Sequence, residues 1–388
     1  MYESILKPIF FKFDPEKVHD FVGSIGETLG NFSLGRRLVA AFCRYEHPAL
    51  QTTVRGIHFA NPIGLGAGFD KEVHLTKIMP SVGFGFMEVG AITHLPYEGN
   101  SGKRLARLPK DQSLIVYYGL KNEGADAVER KMQSLSVSDF QQAANARAFP
   151  IGINIAKTNR ADIKGDKSVE DYALTYRQLA QYFSYVTLNI SCPNAADGCT
   201  FQNPWMLDSL LVAIAKEKKY GPVFLKISSH LTIKEVDDIL AVVEKYNKNI
   251  QLIDGFVVAN LSKRRDILNL RSSAEQLNAI PEGGISGRPM RDLSTNIVRH
   301  IYEKTKGKYT LIGLGGVFTA EDAYEKIKAG ASLVQMVTGL IYGGPMAVKR
   351  INKGLVRLLK QDGYRNISEA VGTEIKDRCG ILKPLSAA

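Results

Sequence analysis

The amino-acid sequence predicts an α/β protein, a (β/α)8 TIM barrel with a small helical extension at its N-terminus. Eight short apolar runs recur between residues 62 and 341, and near-continuous hydrophobic runs are typical of parallel strands that are buried on both faces. The intervals between these runs mostly have the periodicity of helices, and strands that alternate with helices favour a closed barrel. A doubly wound open sheet is the competing architecture, but no G-x-G-x-x-G motif follows the first run.

The predicted strands are PIGLGAG (62–68), FGFMEVGAI (84–92), FPIGINI (149–155), YVTLNIS (185–191), PVFLKIS (222–228), GFVVAN (255–260), YTLIGLGG (309–316) and LVQMVTGLI (333–341). Helix signals stand between them. The stretch 232–246 has an apolar stripe at i, i+3 and i+4, and the stretch 319–330 carries Thr319 and Asp322 at capping-box spacing. Two connections, residues 93–148 and 261–308, are too long for plain crossovers, so we expect them to form a lid or a pocket wall.

The first 45 residues are assigned as an N-terminal helical extension, and residues 46–388 as the barrel. The extension is amphipathic, since apolar side chains recur at helical spacing, namely Ile5, Leu6, Ile9, Phe10 and Phe13. Lys7, Lys12 and Asp14 interrupt them, which is unlike a signal peptide. No run in the chain approaches the ~18 apolar residues that cross a bilayer. Two interpretations stay open: a short helix docked on the barrel, or an element on a membrane surface that admits a lipid quinone.

Composition narrows the classes of function. The chain has 388 residues, 45% hydrophobic and 23% charged, with a net charge of +11. The basic residues are dispersed, which fits a solvated surface or attraction to anionic lipids or ligands. The sequence has no basic stripe interleaved with aromatic residues, so it does not indicate nucleic-acid binding. Four scattered cysteines predict a reducing compartment, and the seven histidines lack metal-ligand spacing, so we expect no metal.

Polar residues stand at the carboxyl ends of the predicted strands, where barrels carry their chemistry. They are Lys71, Thr93, Asn154, Lys157, Asn189, Cys192, Lys226, Asn260 and Thr338, while the seventh strand ends in Gly315 and Gly316. Amides and ammonium groups gathered at one rim suit a planar, electron-rich, anionic ligand. Lys226 lies inside an apolar strand, and a buried ammonium needs an anionic partner, a role that a reduced flavin ring fits.

Glycine pairs near the last two strands indicate a phosphate site. GLGG (313–316) precedes a capped helix, and EGGISGRP spans 282–289. Barrels often bind phosphate at the loops after strands seven and eight, where small residues let backbone N–H groups approach an anion. Tight turns with positive φ would use glycine equally well.

Six segments resemble, in order, the signature segments of dihydroorotate dehydrogenases. They are NPIGLGAGFDK, FGFMEVGAIT, PIGINIAKTN, YVTLNISCPN, EGGISGRP and GASLVQMVTGLIYGGP. The likeness spans about residues 45–360, and KPIFFKFDPEKVHDF is similar to the extension of the quinone-dependent, membrane-associated branch. The resemblance implies an FMN flavoenzyme that oxidises dihydroorotate to orotate in pyrimidine biosynthesis and passes electrons to a quinone. It implies a peripheral location on the cytoplasmic face of the inner or cell membrane, with the cytoplasm as the alternative.

The resemblance also implies roles for single residues. Positions that match the family's FMN contacts are Ala67, Gly68, Thr93, Asn154, Asn189, Lys226, Gly287, Gly316 and Thr338. Positions that match its substrate contacts are Lys71, Asn189, Asn194 and Asn260. Cys192 falls at the catalytic base, and Lys71 and Lys226 would steady the charge of substrate and flavin. A thiol with an ordinary pKa of about 8.5 becomes a usable base with modest help from nearby cations.

Three positions depart from the family pattern. Cys192 stands where the quinone branch has serine, Val116 replaces an asparagine that contacts orotate, and Leu261 replaces a hydroxyl residue. A missing hydrogen bond to a ligand costs about 0.5–1.5 kcal/mol. The alternatives are therefore a flavoenzyme paralogue for another cyclic or unsaturated substrate, and a flavin-binding barrel without turnover.

Overall fold

The computed structural model describes residues 2–134, 149–191 and 200–378. In these residues eight parallel strands close into a barrel, which confirms the predicted fold. The strands of the chain are β1 (Thr52–Val54), β2 (Ile57–Phe59), β3 (Ile63–Leu65), β4 (Phe86–Ile92), β5 (Leu105–Leu108), β6 (Ser113–Val116), β7 (Ile151–Ile155), β8 (Tyr185–Asn189), β9 (Val223–Ser228), β10 (Gly255–Asn260), β11 (Gly284–Gly287), β12 (Thr310–Leu314) and β13 (Leu333–Met336). The barrel runs β3-β4-β7-β8-β9-β10-β12-β13 and closes from β13 onto β3.

Helices follow the barrel strands and cover the sheet from outside. The α-helices are α1 (Lys7–Phe10), α2 (Pro15–Asn31), α3 (Ser33–Cys43), α4 (Met79–Val82), α5 (Ala125–Ser134), α6 (Asp166–Leu179), α7 (Pro204–Ile214), α8 (Ile233–Asn247), α9 (Ala274–Leu277), α10 (Arg291–Thr305), α11 (Ala320–Lys328), α12 (Thr338–Gly343), α13 (Ala347–Gln361) and α14 (Thr373–Arg378). The expected capping box of α11 is present: the Thr319 side chain accepts from the Asp322 N–H, and the Asp322 carboxylate accepts from the Thr319 N–H.

Each of the eight apolar runs contributes one barrel strand, but the last run changes structure along its length. Its strand ends at Met336, and Thr338–Gly343 is helical. A short apolar run fits a buried helix as well as a strand, so periodicity alone does not locate this boundary. At the other end of the barrel, the β1–β2 hairpin closes the base. Phe59 there joins an interior cluster with Phe86, Tyr185 and Phe224.

The two long connections meet at the rim. Strands β5 and β6 come from the first connection and β11 from the second, and they form an antiparallel sheet in the order β11-β6-β5. The second connection also contains α10, which packs against β10 and β12 as an ordinary crossover helix.

Helices α2 and α3 are joined at Phe32 and contact each other. They form a helical hairpin, here called the N-terminal hairpin, that lies against the barrel. Its buried residues are Gly30, Gly35 and Cys43, so it adds little to the barrel core. Polar contacts fasten it instead, including an ion pair of Glu16 with Arg104 and one between Glu27 and His74, with 2.9 Å from Oε1 to Nδ1. Across the described ranges, we find no helix with the length and apolarity that a membrane span requires.

Candidate active site

A cavity of about 230 Å³ opens at the carboxyl ends of the barrel strands. The sheet formed by β5, β6 and β11 contributes one wall through Leu105, Leu114, Val116 and Ser286. The cavity brings together ten of the residues that the sequence singled out: Ala67, Gly68, Lys71, Asn154, Asn189, Lys226, Asn260, Gly287, Gly316 and Thr338. Residues from every part of the barrel therefore share one concave site.

Thr93 was expected among these residues, and the structure does not place it in the cavity lining. Strand β4 ends at Ile92, after a register shift between Gly90 and Ile92. The Thr93 hydroxyl then donates to the Leu95 carbonyl at 2.6 Å and accepts from Asn122 at 2.8 Å. Ala91 lines the cavity in its stead. Thr93 thus fastens the following loop.

Two other predicted residues, Cys192 and Asn194, lie outside the described residues, as does Cys199. Two consecutive hydrogen bonds position Ser191, the residue that directly precedes Cys192. The Asn260 side-chain amide donates to the Ser191 hydroxyl at 3.0 Å, and this hydroxyl donates to Asn189 Oδ1 at 2.7 Å. Since Asn189 Oδ1 is held in this way, its side-chain orientation is fixed at the cavity wall.

A buried polar network forms the floor of the cavity. The fully buried Glu88 carboxylate accepts hydrogen bonds from Asn154 at 2.8 Å, from Thr187 at 2.9 Å and from Gln335 at 3.1 Å. Asn154 Oδ1 remains buried without a hydrogen-bond partner among the described residues. It is therefore an acceptor that a ligand N–H can satisfy.

Lys226 lies above this floor and is almost fully buried. Burial lowers the pKa of its ammonium, and the Glu88 carboxylate opposes that shift. The Glu88 carboxylate thus offsets part of the cost of burying this ammonium, and a reduced flavin ring as its anionic partner stays a prediction. A charged residue within the apolar stretch FMEVGAI was the signal for Glu88 in the sequence.

Lys71 lies at the other side of the cavity, next to the N-terminal hairpin. Its Nζ sits 4.0 Å from the centre of the Tyr118 ring, and the Arg104 guanidinium lies 5.7 Å from the same ring. Burial lowers the Lys71 pKa to about 8, while Asp20 and Glu16 of α2 counteract the shift. The Tyr118 hydroxyl is buried and has no partner among the described residues.

His19 of α2 also lines the cavity, so the N-terminal hairpin contributes directly to the site. Its ring packs edge-on against Phe69 with centroids 5.0 Å apart. Burial, reinforced by the Lys71 charge, lowers the His19 pKa to about 4. The imidazole is accordingly neutral at physiological pH. No local signal in the sequence marked His19, because tertiary packing alone brings it to the cavity.

The glycines near the last strands form a cradle. Gly316 has φ +74°, and a Cβ there would lie 2.5 Å from the Arg291 Cα. Gly287 has φ +86°, and a Cβ there would lie 2.4 Å from the Gln112 carbonyl oxygen. Beside them the Ser286 and Thr338 hydroxyls are 2.9 Å apart. Both the backbone conformation and the space exclude side chains, which leaves N–H groups and hydroxyls for an anion.

Val116 and Leu261, the two departures from the family pattern, both line the cavity. Val116 pairs with Gly284 across β6 and β11, and the Leu261 side chain covers the same glycine, since a Cβ on Gly284 would lie 1.9 Å from Leu261 Cδ1. This side of the cavity is apolar. Lys121 and Lys263 also line the cavity.

Comparison with known proteins gives a consistent result. A family model described as dihydroorotate dehydrogenase matches residues 49–359. The dihydroorotate dehydrogenase (quinone) of Nostoc punctiforme is 35% identical over 396 residues, which covers 97% of this chain and 99% of that protein. The dihydroorotate dehydrogenase (quinone) of Acaryochloris marina is 37% identical over 383 residues, with coverage of 96% and 99%.

Solved structures agree with these sequence matches. Ligand-free DHODH from Eimeria tenella superposes with a TM-score of 0.79 at 30% identity, covering 93% of this chain and 99% of that one. DHODH from Eimeria tenella in complex with ferulenol gives a TM-score of 0.78 at 29% identity, covering 94% and 96%.

Proposed function

This chain belongs to the dihydroorotate dehydrogenase family, and from that premise we propose that its barrel binds FMN, oxidises dihydroorotate to orotate for pyrimidine biosynthesis, and passes the electrons to a quinone. The observation that carries the proposal is the convergence of ten predicted cofactor and substrate positions on one cavity. Relatives named for this reaction with quinone align over nearly the whole chain.

The cavity lining fits FMN in two respects. The buried, unpartnered Asn154 Oδ1 offers an acceptor to a ring N–H, and the cradle of Gly287, Gly316 and Thr338 suits the phosphate group. Ala67, Gly68, Asn189 and Lys226 complete the proposed cofactor contacts. Lys226, whose ammonium is favoured by the Glu88 carboxylate, would supply a positive charge to the cofactor ring.

The remaining chemistry belongs to side chains of the chain. FMN, when bound, supplies the acceptor for the two electrons that leave C6 of dihydroorotate. Cys192, as a thiolate, removes the proton from C5. The Lys71 ammonium balances the negative charge of the substrate, and Asn189, Asn194 and Asn260 orient the substrate ring. Ser191 helps here because it fixes the Asn189 and Asn260 amides relative to one another.

We assign the N-terminal hairpin to quinone access and to peripheral contact with the cytoplasmic face of the inner or cell membrane. Its outer face exposes large apolar side chains, which are Phe21, Val22, Ile25, Leu29, Phe32, Leu34, Leu38 and Phe42. An exposed apolar patch on amphipathic helices is typical of proteins that lie on a membrane surface. The same hairpin reaches the cavity through His19, so a lipid-borne acceptor has a short route to the cofactor.

Anaerobic mixing of the yellow holoenzyme with dihydroorotate tests the proposal. We expect rapid loss of the oxidised-flavin absorbance, followed by its return when a quinone is added. A protein that purifies without colour and does not take up FMN would contradict the proposal altogether.

Val116 and Leu261 favour a second candidate, a flavoenzyme of the same family that acts on another cyclic or unsaturated substrate. They replace hydrogen-bonding residues with apolar ones at the substrate side of the cavity. The mixing experiment separates the two: a flavin that dithionite bleaches and dihydroorotate does not would favour this second candidate.

A further inference from the structure

Helix α13 carries a basic face that the reaction does not use. Its sequence, AVKRINKGLVRLLKQ, contains five cations and no aspartate or glutamate. Lys349, Lys353, Arg357 and Lys360 recur at i, i+4, i+8 and i+11, and so share one side of the helix. We call these four residues the basic row. The opposite side of α13 packs into the barrel through Val348, Ile351, Leu355 and Leu359.

The basic row begins where the apolar face of the N-terminal hairpin ends. Leu34, Leu38 and Phe42 form a stripe at i, i+4 and i+8 along α3 and expose 67%, 54% and 67% of their surface. Lys349 Nζ donates to the Phe42 carbonyl at 2.6 Å. Lys353 Nζ lies 5.6 Å from the centre of the Tyr45 ring, just beyond α3. Apolar stripe and basic row are thus continuous on the molecular surface.

Little acidic charge neutralises the basic row. Arg357 pairs with Glu321 at 2.6 Å. Neither Lys353 nor Lys360 has a carboxylate within salt-bridge distance among the described residues, and both are exposed. With Val356 and Gln361, Lys353, Arg357 and Lys360 line a shallow depression on the helix surface. Arg37 adds a further exposed cation beside the apolar stripe.

We propose that this combined surface docks on a bilayer with anionic headgroups, the apolar stripe of α3 entering the lipid and the basic row of α13 binding lipid phosphates. Insertion of apolar side chains beside a cluster of lysines is the arrangement that anionic membranes favour. The inference rests on the proposed membrane contact of the hairpin and adds lipid selectivity to it. It also gives the bilayer a second attachment point, which fixes how the barrel is oriented over the membrane.

Vesicle flotation of the full-length FMN-bound protein tests this. The probes are vesicles of phosphatidylcholine and vesicles of equal parts phosphatidylcholine and phosphatidylglycerol. The variant Lys353→Glu with Lys360→Glu is compared with a control, Lys234→Glu with Lys248→Glu, at the two ends of α8 on another side of the barrel. Both double variants lower the formal net charge from +11 to +7, since each lysine-to-glutamate change subtracts two.

We expect the basic-row variant to lose about tenfold or more of its binding to the anionic vesicles, since each surface lysine there contributes about 1 kcal/mol, which is a factor of about five. Its binding to neutral vesicles and its flavin reduction by dihydroorotate should not change, and the control should match the wild type throughout. Equal losses in both variants would mean that net charge alone acts, and this would overturn the assignment to α13.

Two further outcomes separate this inference from the proposed function. Wild-type protein that binds both vesicle types equally would overturn the lipid selectivity and leave the membrane contact standing. Wild-type protein that binds neither would remove the membrane contact and this inference together, while bleaching of the flavin by dihydroorotate would still support the reaction.

Discussion

Two buried groups of opposite charge, Glu88 and Lys226, lie at the floor of the cavity. Glu88 and Lys226 are both buried, and the carboxylate is further held by Asn154, Thr187 and Gln335. A buried charge without its partner is far more costly than the intact pair, because desolvation is no longer offset by attraction and hydrogen bonds. These residues therefore depend on each other for stability as well as for the shape of the cavity.

Replacing Lys226 with Met should destabilise the FMN-free protein, because the buried Glu88 carboxylate loses the attraction of a nearby cation. Adding Glu88→Gln should recover most of the loss, since the amide carries no charge to bury. Urea unfolding of the two variants and of the wild type measures both steps. If the single variant is as stable as the wild type, Glu88 and Lys226 are not coupled.

The Tyr118 ring should control the protonation of Lys71. A cation over an aromatic ring gains about 0.5–2 kcal/mol, and the Lys71 ammonium is already weakened by burial, with a pKa of about 8. Tyr118→Leu removes that gain and lowers the pKa further. Since the charged form is lost as pH rises, flavin reduction by dihydroorotate should decline at lower pH in this variant than in the wild type.

Tyr118→Phe is the matched control, because it keeps the ring and removes the hydroxyl. Stopped-flow measurement of the second-order rate constant against pH should give Tyr118→Phe the wild-type alkaline limb. If the decline of the rate constant at alkaline pH coincides in the Tyr118→Leu and Tyr118→Phe variants, the ring does not act on Lys71.

Cys192 should be required for the proton transfer and dispensable for cofactor binding. Cys192→Ala should slow flavin reduction by about 10²–10⁴-fold, the usual contribution of a general base, while FMN remains bound. Cys192→Ser, which introduces the residue of the quinone branch, should retain much more activity than Ala. Stopped-flow rates and flavin content measure both effects, and unchanged rates in the Ala variant would remove the thiol from the mechanism.

At the scale of elements, the sequence predicted the barrel strands best, since their burial leaves a continuous apolar run. Each of the eight apolar runs contains a barrel strand, because strands buried on both faces are mostly apolar. Strand ends were less predictable. The register of β4 shifts between Gly90 and Ile92, and the Thr93 hydroxyl bonds to Leu95 and Asn122, so its contact with FMN stays a prediction. His19 reaches the cavity through tertiary packing, which leaves no local pattern.

The N-terminal hairpin is held to the barrel by polar contacts that depend on pH. His74 contacts Glu72 at 3.3 Å and Glu27 of α2 at 2.9 Å, and Lys131 Nζ lies 3.3 Å from its Nε2. The hydrogen bond to Glu72, with that to Glu27, raises the His74 pKa to about 9 against the effects of burial and of Lys131. The charged imidazole is thus the form that fastens the hairpin.

The attachment of the hairpin should weaken at alkaline pH. A histidine whose pKa is raised on folding from 6.5 to about 9 stabilises the folded form fully below pH 6.5, and this contribution is lost as pH rises through 9. Hydrogen exchange of the α2 amides, corrected for intrinsic rates, should accelerate over that window. In the His74→Gln variant the hairpin should be weakly attached at every pH, and the acceleration of α2 amide exchange with rising pH should be absent.

His300→Gln serves as the control, because His300 pairs with Asp237 at 2.7 Å between two barrel helices, α10 and α8, away from the hairpin. In the His300→Gln variant the hydrogen exchange of the α2 amides should show the same pH dependence as in the wild type. An α2 exchange rate that stays constant through pH 9 in the wild type would contradict the role given to His74.

At the scale of the whole molecule, two surfaces serve the two halves of the reaction. The sheet of β5, β6 and β11 walls one side of the cavity, and the N-terminal hairpin covers another part of it through His19, near Lys71. The hairpin contributes almost nothing to the barrel core. The closed barrel should therefore fold and hold FMN without it.

Deleting residues 1–45 tests the two halves of the reaction, flavin reduction and quinone reduction, separately. We expect the truncated enzyme to bind FMN and to be bleached by dihydroorotate, because most of the substrate and cofactor positions lie in the barrel. The rate should fall modestly, since Asp20 and Glu16 no longer lie near Lys71. Reoxidation of the reduced enzyme by a lipid quinone should be nearly abolished, whereas reoxidation by a water-soluble dye should persist and report intact flavin. Full reoxidation by the quinone in the truncated enzyme would place the acceptor site on the barrel, and the apolar face of the hairpin would then need another explanation.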